Sequence, residues 1–266
     1  MSFFSVNNLT AGYGNGHVIK DVSFALNSGC LMGILGANGS GKTTLLKSIG
    51  GILPHSGSCR LEDTLLEDLS ARQIARLVSY IPQRSGISID ISTLDVVLMG
   101  FNPYLGLLEH PNASMQQTAL ETLAQVGLAG REHDNYMTLS EGQKQLCILA
   151  RTLVSGGKLL LLDEPESALD FRHRYRMLDI LRSWAAQEQR SALVALHDPA
   201  LALECCDRLL LLDERRVLRI LRPAEDDLSE MEMTLSRIYG KISLVKCPDR
   251  TGREHLVMLK EQEEPR

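Results

Sequence analysis

Between the apolar run CLMGIL (Cys30–Leu35) and the helical run LLKSIG (Leu45–Gly50) stands GANGSGKTT, Gly36 to Thr44. A turn with the spacing G-x-x-x-x-G-K-[ST], entered from a strand and left into a helix, constrains the fold more than any other segment of the chain. Gly36, Gly39 and Gly41 let the backbone curl so that successive N–H groups, those of Ala37, Asn38 and Ser40 among them, aim inward at phosphate oxygens. Lys42 is placed to reach the β and γ phosphates of a nucleotide, Thr43 offers a hydroxyl to Mg²⁺, and Thr44 follows on the same helical turn. The bland alternative is a glycine-rich turn before a helix.

The flanking pattern agrees with the turn. Aliphatic runs at Leu31–Leu35, Leu159–Leu162, Ala192–Leu196 and Leu209–Leu212 read as strands buried on both faces, and they alternate with helical patterns. The expectation is an α/β fold with a mostly parallel sheet. From Ser85 to Val154 the texture becomes helical: Ser92 and Asp95 suggest a capping box opening a helix over Thr93–Met99, and Met115–Val126 repeats apolar residues at helical spacing. After Pro223 come an acidic helix ending near Tyr239 and two strand patterns around a turn at Pro248–Gly252. The organisation expected is a core over 1–222 with a helical subdomain inserted at about 85–154, and a C-terminal extension over 223–266.

Composition narrows the function classes. The chain has 266 residues and a net charge of −5, which argues against a broad nucleic-acid-binding face. No apolar run is long enough to span a bilayer, and the N-terminus lacks the basic start and apolar stretch of a leader, so a cytosolic location is expected. The six cysteines form no CxxC pair and fall mostly in apolar stretches, as reduced core thiols would.

Three further stretches carry chemistry. LLLLDEP (Leu159–Pro165) is an aliphatic strand ending in two carboxylates, at the kind of strand end where doubly wound folds place their sites. Asp163 is expected in the Mg²⁺ hydration shell, and Glu164 as the group that polarises attacking water. ALVALHDP ends in His197 at the same sheet edge, within reach of a γ-phosphate or of the water and Glu164; a histidine after a strand is otherwise structural. LSEGQ (Leu139–Gln143) sets a serine beside a carboxylate and a glycine, but no nucleophile elbow surrounds it. Its plainest reading is an N-cap serine with a glutamate in the first helical turn.

In order along the chain stand Tyr13, GANGSGKTT, Gln83 in YIPQ, LSEGQ, LLLLDEP, SALD (Ser167–Asp170) and His197. This order resembles the ATP-binding subunit of an ABC transporter over nearly the whole chain. The resemblance implies a P-loop NTPase core with an antiparallel β part near the N-terminus, and ATP and Mg²⁺ as ligands. It implies that Tyr13 stacks on adenine, that Gln83 senses metal and γ-phosphate, and that Asp170 belongs to the nucleotide site. It also implies a homodimer in which Ser140 and the N–H of Gly142 bind the γ-phosphate of ATP held by the partner copy, so that Ser140 clamps phosphate and is no nucleophile.

Two residues depart from the family pattern: Glu141, where glycine is usual, and Glu166, where threonine is commoner. A carboxylate at Glu141 repels the triphosphate unless it faces solvent. VVLMGFNPYLGLLEHP (Val96–Pro111) and SRIYGKISLVKCPDRTGREHLVML (Ser236–Leu259) look like the branch serving importers of iron siderophores, haem and cobalamin. That branch implies a separate integral membrane permease docked on the insertion, indirectly a substrate-binding protein, no nucleic acid, and a place at the cytoplasmic face of the membrane. The competing readings are a soluble ABC-type ATPase of DNA repair or translation, which usually carries a long coiled coil or a second ATPase set, and a nucleotide-gated scaffold that barely hydrolyses.

Overall fold

A computed structural model describes residues 2–83, 86–106 and 108–261. The expected start of the insertion at Ser85, Leu107 of the Val96–Pro111 stretch and the end of the extension lie outside the described residues. In chain order the elements are β1 (Phe4–Tyr13), β2 (Gly16–Leu26), β3 (Leu31–Gly36), α1 (Lys42–Ile49), β4 (His55–Leu61), β5 (Thr64–Leu65), α2 (Ala71–Leu77) and β6 (Val78–Ile81). There follow α3 (Thr93–Leu98), α4 (Ala113–Val126), α5 (Glu141–Leu153), β7 (Leu159–Asp163), α6 (Phe171–Ala185) and β8 (Ser191–Ala195). The chain continues through α7 (Pro199–Cys205), β9 (Arg208–Asp213), β10 (Arg216–Leu221), α8 (Leu228–Tyr239), β11 (Ile242–Pro248) and β12 (Glu254–Lys260).

The central sheet has the order β10-β9-β3-β8-β7-β6. All its pairs are parallel except β10 with β9. Side-chain alternation explains why its strands are aliphatic without interruption. Leu31 and Leu35, Leu160 and Leu162, Ala192 and Val194, and Leu209 and Leu211 face a core shared with the helices. Met32 and Ile34, Leu159 and Leu161, Leu193 and Ala195, and Leu210 and Leu212 face a second core, closed by α1 and the antiparallel sheet β2-β1-β4-β5. A polar residue on either face would be buried without a partner, so the period-two signal of a half-exposed strand disappears. Truncating a buried leucine such as Leu161 to alanine would cost about 2–5 kcal/mol.

The segment after β6 is helical. Ser92 caps α3 by accepting from the Asp95 N–H, and Asn112 caps α4 by accepting from the Met115 N–H. Val96, Val97, Phe101, Leu123 and Tyr136 join Leu146 and Leu149 of α5 in one buried cluster. Toward the C-terminus, α8 packs on β11, and β12 of the β11–β12 hairpin packs on α7. Five of the six cysteines are buried thiols as expected, but Cys247 is exposed. It lies on the open face of a two-stranded ribbon, beside exposed Val245, Val257 and Leu259, a face that no further element among the described residues covers.

Candidate active site

Four neighbouring strands deliver chemistry to one edge of the central sheet. β3 ends in Gly36, β7 ends in Asp163, and β6 and β8 end two residues before Gln83 and His197. This is the C-terminal edge of the parallel strands, where an open α/β sheet leaves a crevice for ligands.

The turn after β3 curls as its glycines predict. Gly41 has φ +103°, and a Cβ there would stand 2.3 Å from the Cγ2 of Ile19; a Cβ on Gly36 would meet the Ser40 Oγ at 2.5 Å. Neither position admits a side chain, for conformational reasons at Gly41 and steric reasons at both. The Oγ of Ser40 is buried without a partner among the described residues. Lys42 is 6% exposed; its ammonium donates to the Gly36 carbonyl at 2.9 Å and lies 3.9 Å from Glu164 Oε1. A buried ammonium held by one carbonyl is a ready counter-charge for an anion.

Thr43 and Asp163 meet across the crevice, where the threonine hydroxyl donates to Asp163 Oδ1 at 2.9 Å. Asp163 is 3% exposed, and its second oxygen accepts from the Tyr80 hydroxyl at 3.3 Å. Burial, and next the Asp163 carboxylate, push the Tyr80 phenol up, so it stays a donor. A hydroxyl and a buried carboxylate are the hard oxygen donors that Mg²⁺ takes, directly or through its waters. Glu164 follows with φ 47°, a left-handed conformation that costs a non-glycine residue energy and turns its carboxylate away from the strand direction. Its N–H donates to the Ala195 carbonyl at 3.0 Å, and its Oε2 accepts from Gln83 Nε2 at 2.8 Å.

His197 lines a depression with Glu164, Glu166, Ser167, Arg174, Asp198 and Tyr239. Its N–H donates to Glu166 Oε1 at 3.0 Å. Glu166 is 2% exposed, and its other oxygen has no partner among the described residues. Burial raises its pKa, the His197 N–H opposes the rise and the Glu164 charge adds to it. Tyr239, at the end of α8, borders the same depression; burial pushes its phenol up to about 12, against the pull of the Gly36 backbone N–H. Tyr80 opens the YIPQ stretch and Glu166 stands between LLLLDEP and SALD, so both lie inside the motifs, but their contacts with Asp163 and His197 carry no local signal. Tyr239 arrives from a separate element, and no spacing links it to the motifs.

Ser140, Gly142 and Asp170 stand elsewhere. They line a second depression with Gly127, Leu128, Leu146 and His173, and among the described residues no hydrogen bond joins them to the glycine-rich turn. Ser140 caps α5 in a reciprocal box with Gln143, the Ser140 Oγ accepting from the Gln143 N–H at 3.3 Å and Gln143 Oε1 from the Ser140 N–H at 3.0 Å. Glu141 turns outward, 77% exposed, and pairs with Lys144 at 2.8 Å. Asp170 caps α6 and also accepts from His173 Nδ1 at 2.7 Å; the His173 N–H chiefly holds its carboxyl below the usual range. Tyr13 is 54% exposed at the end of β1, a free aromatic face.

Comparison with known proteins sets these two groups of residues in context. Residues 19–167 match the ABC transporter family. The hemin import ATP-binding protein HmuV of Bordetella pertussis is 38% identical over 256 residues, 92% of this chain and 95% of that protein. The cobalamin import ATP-binding protein BtuD of Halobacterium salinarum is 32% identical over 75% of this chain, and the match spans 50% of that protein. A solved ABC transporter assigned to the metal-chelate type, in an inward-facing conformation, superposes with a TM-score of 0.82 at 26% identity, covering 98% of this chain and 99% of that one.

Proposed function

This chain belongs to the ABC transporter family of ATP-hydrolysing subunits, and on that premise we propose that it powers import of an iron chelate, haem or a cobalamin-type compound through a separate membrane permease. The observation that carries the catalytic part is the meeting of Lys42, Thr43, Asp163, Glu164 and Gln83 at one sheet edge. The cargo class follows from the names of the hemin and cobalamin import relatives.

ATP binds on the turn Gly36–Thr44 with Tyr13 against its adenine. Lys42 supplies charge to the β and γ phosphates. Thr43 and Asp163, with Gln83 nearby, would hold Mg²⁺, which when bound would neutralise phosphate charge. Glu164 is the general base that polarises water, its carboxylate held by the Gln83 amide, and His197 faces the γ-phosphate from the β8 side. Ser140, Gly142 and Asp170 complete the site of a second copy, which accounts for their lying apart from the turn of their own chain. An N-cap serine and helix N-terminus are already oriented to receive phosphate.

The core over 1–222, the inserted helices over about 85–154 and the extension over 223–266 are then motor, docking platform and branch-specific tail. Exposed Ile89, Tyr104 and Leu108 on the insertion favour docking of an apolar cytoplasmic helix of the permease there. A substrate-binding protein delivers cargo on the far side, and this chain sits at the cytoplasmic face. No helix among the described residues is long and apolar enough to cross a membrane.

Glu164→Gln tests the motor. With ATP and Mg²⁺ it should bind nucleotide, lose hydrolysis and accumulate as an ATP-loaded dimer in size exclusion with light scattering. Undiminished turnover would remove Glu164 from its role. Cells lacking the chain should lose uptake of one among ferric siderophore, haem and cobalamin, and unchanged uptake of all three would overturn the cargo class.

A further inference from the structure

Away from the nucleotide crevice, three side chains of metal-ligating type converge on the antiparallel sheet. His55 and Cys59 belong to β4, and Glu67 to the short 3₁₀ turn Leu66–Asp68. A straight strand would hold residues four apart at about 13 Å. Here β4 is broken at Gly57, φ +93°, where the pairing with β1 slips between Asn7–Ser58 and Thr10–Ser56. A Cβ at Gly57 would strike the Asn7 carbonyl oxygen at 2.5 Å, so the kink needs glycine. As a result Cys59 Sγ lies 3.9 Å from His55 Nε2, Glu67 Oε1 lies 2.9 Å from the same nitrogen, and one ligand atom from each residue falls within 4.8 Å of the others.

The surroundings favour a cation over a bare ion pair. His55 Nδ1 faces the Leu53 carbonyl at 3.4 Å, the contact by which a protein fixes the tautomer of a ligating imidazole. That tautomer turns the Nε2 lone pair toward the sulfur and the carboxylate. The buried thiol keeps its proton and points it at Glu67, whose carboxylate also faces Nε2; a divalent metal in that space would replace these protons and bind all three atoms at once. The cluster is also built in: Cys59 is fully buried, the His55 side chain is 10% exposed and that of Glu67 28%. Glu67 is anchored by the Cys59 N–H, which donates to its Oε1 at 2.7 Å. Donor spacings of 3–4 Å are those of a tetrahedral Zn²⁺ with bonds of about 2.0–2.3 Å.

We propose that His55, Cys59 and Glu67 form a binding site for a borderline-soft divalent cation of the Zn²⁺ type, with one position left to solvent on the Glu67 side. One thiolate, one imidazole and one carboxylate select Zn²⁺ over Mg²⁺ or Ca²⁺, which prefer oxygen alone. Binding forms an S–metal bond and releases the Cys59 thiol proton to the buffer, with no redox change. The ion ties β4 to the turn leading into α2 and so staples the N-terminal sheet.

Co²⁺ serves as the probe, added to the full chain without nucleotide. The Cys247→Ala background removes the one cysteine exposed among the described residues. Stoichiometric growth of a thiolate-to-cobalt charge-transfer band is expected, reversed by Zn²⁺, together with a higher Tm in Zn²⁺. The Thr43–Asp163 site offers only oxygen and gives no such band. Cys59→Ser should abolish the band, and His55→Gln and Glu67→Gln should each weaken binding by about tenfold or more, with ATP binding retained as the check on folding. A folded chain with no band would overturn the site. So would a band indifferent to His55→Gln and Glu67→Gln, which would mark a lone thiol.

Discussion

Lys42 shows how little separates a structural from a chemical residue at this site. Its ammonium is buried and held by the Gly36 carbonyl and the nearby Glu164 charge, so without an anion it is only partly compensated. Lys42→Ala should therefore weaken ATP binding at least tenfold and abolish turnover, as equilibrium binding and phosphate release would reveal; affinity and rate near those of the parent would remove it from the site. Glu141 illustrates the opposite case. Because it is 77% exposed and paired with Lys144, Glu141→Gly should change ATP-driven dimerisation less than about threefold, at low and at high salt. A large gain at low salt would mean that the carboxylate faces phosphate in the closed dimer. Glu166 carries a pH dependence. Its raised folded-state pKa, caused first by burial, means that the folded chain favours the proton, so the stability it lends is present at low pH and is lost as pH rises through that pKa. Glu166→Gln should accordingly raise Tm at pH 8 more than at pH 5. Equal shifts at the two pH values would show that Glu166 titrates normally.

At the scale of elements, the hairpin β11–β12 depends on an acid in its turn. Asp249 accepts from the Thr251 hydroxyl and from the N–H groups of Thr251 and Arg253. These bonds, the Thr251 hydroxyl first, hold its carboxyl well below the usual range. The stability it gives is present above the ordinary carboxylate pKa and disappears as pH falls toward the depressed value. Amide protection factors in β11 and β12 should therefore fall below about pH 4, and Asp249→Ala should show that loss of protection already at pH 7; a hairpin unaffected by either would acquit the turn. Elements of this kind differ in how visible they are beforehand. β3, β7, β8 and β9 are legible because both faces are buried, α3 because its Ser92 cap is local, and α4 because its apolar residues recur at helical spacing, although its Asn112 cap escapes the sequence reading. β1 and β2 were not, since left-handed residues at Asn8 and Asp21 and repeated register slips break their alternation. The site divides likewise. The turn Gly36–Thr44 and the strand-end acids carry local patterns, whereas the contacts of Tyr80 with Asp163 and of Glu166 with His197 exist only after distant segments meet.

For the whole molecule, the separation of Ser140 from the turn holding Lys42 makes a quantitative claim about symmetry. In a two-fold pair each composite site takes one residue from each copy. A heterodimer of Lys42→Ala with a Ser140→Arg chain concentrates both lesions in one site and leaves the other intact. Isolated through two affinity tags, it should occlude about one ATP per dimer, while either homodimer occludes none. Occlusion by neither species, with the parent dimer positive, would argue that Ser140 serves its own chain. Tyr239 has a different bearing. It belongs to α8, beyond the residues that match the family model, and yet it borders the depression that holds Glu164 and His197. The C-terminal extension therefore supplies a side chain to the wall beside those two residues. An edit to the tail can reach the crevice while leaving every motif untouched.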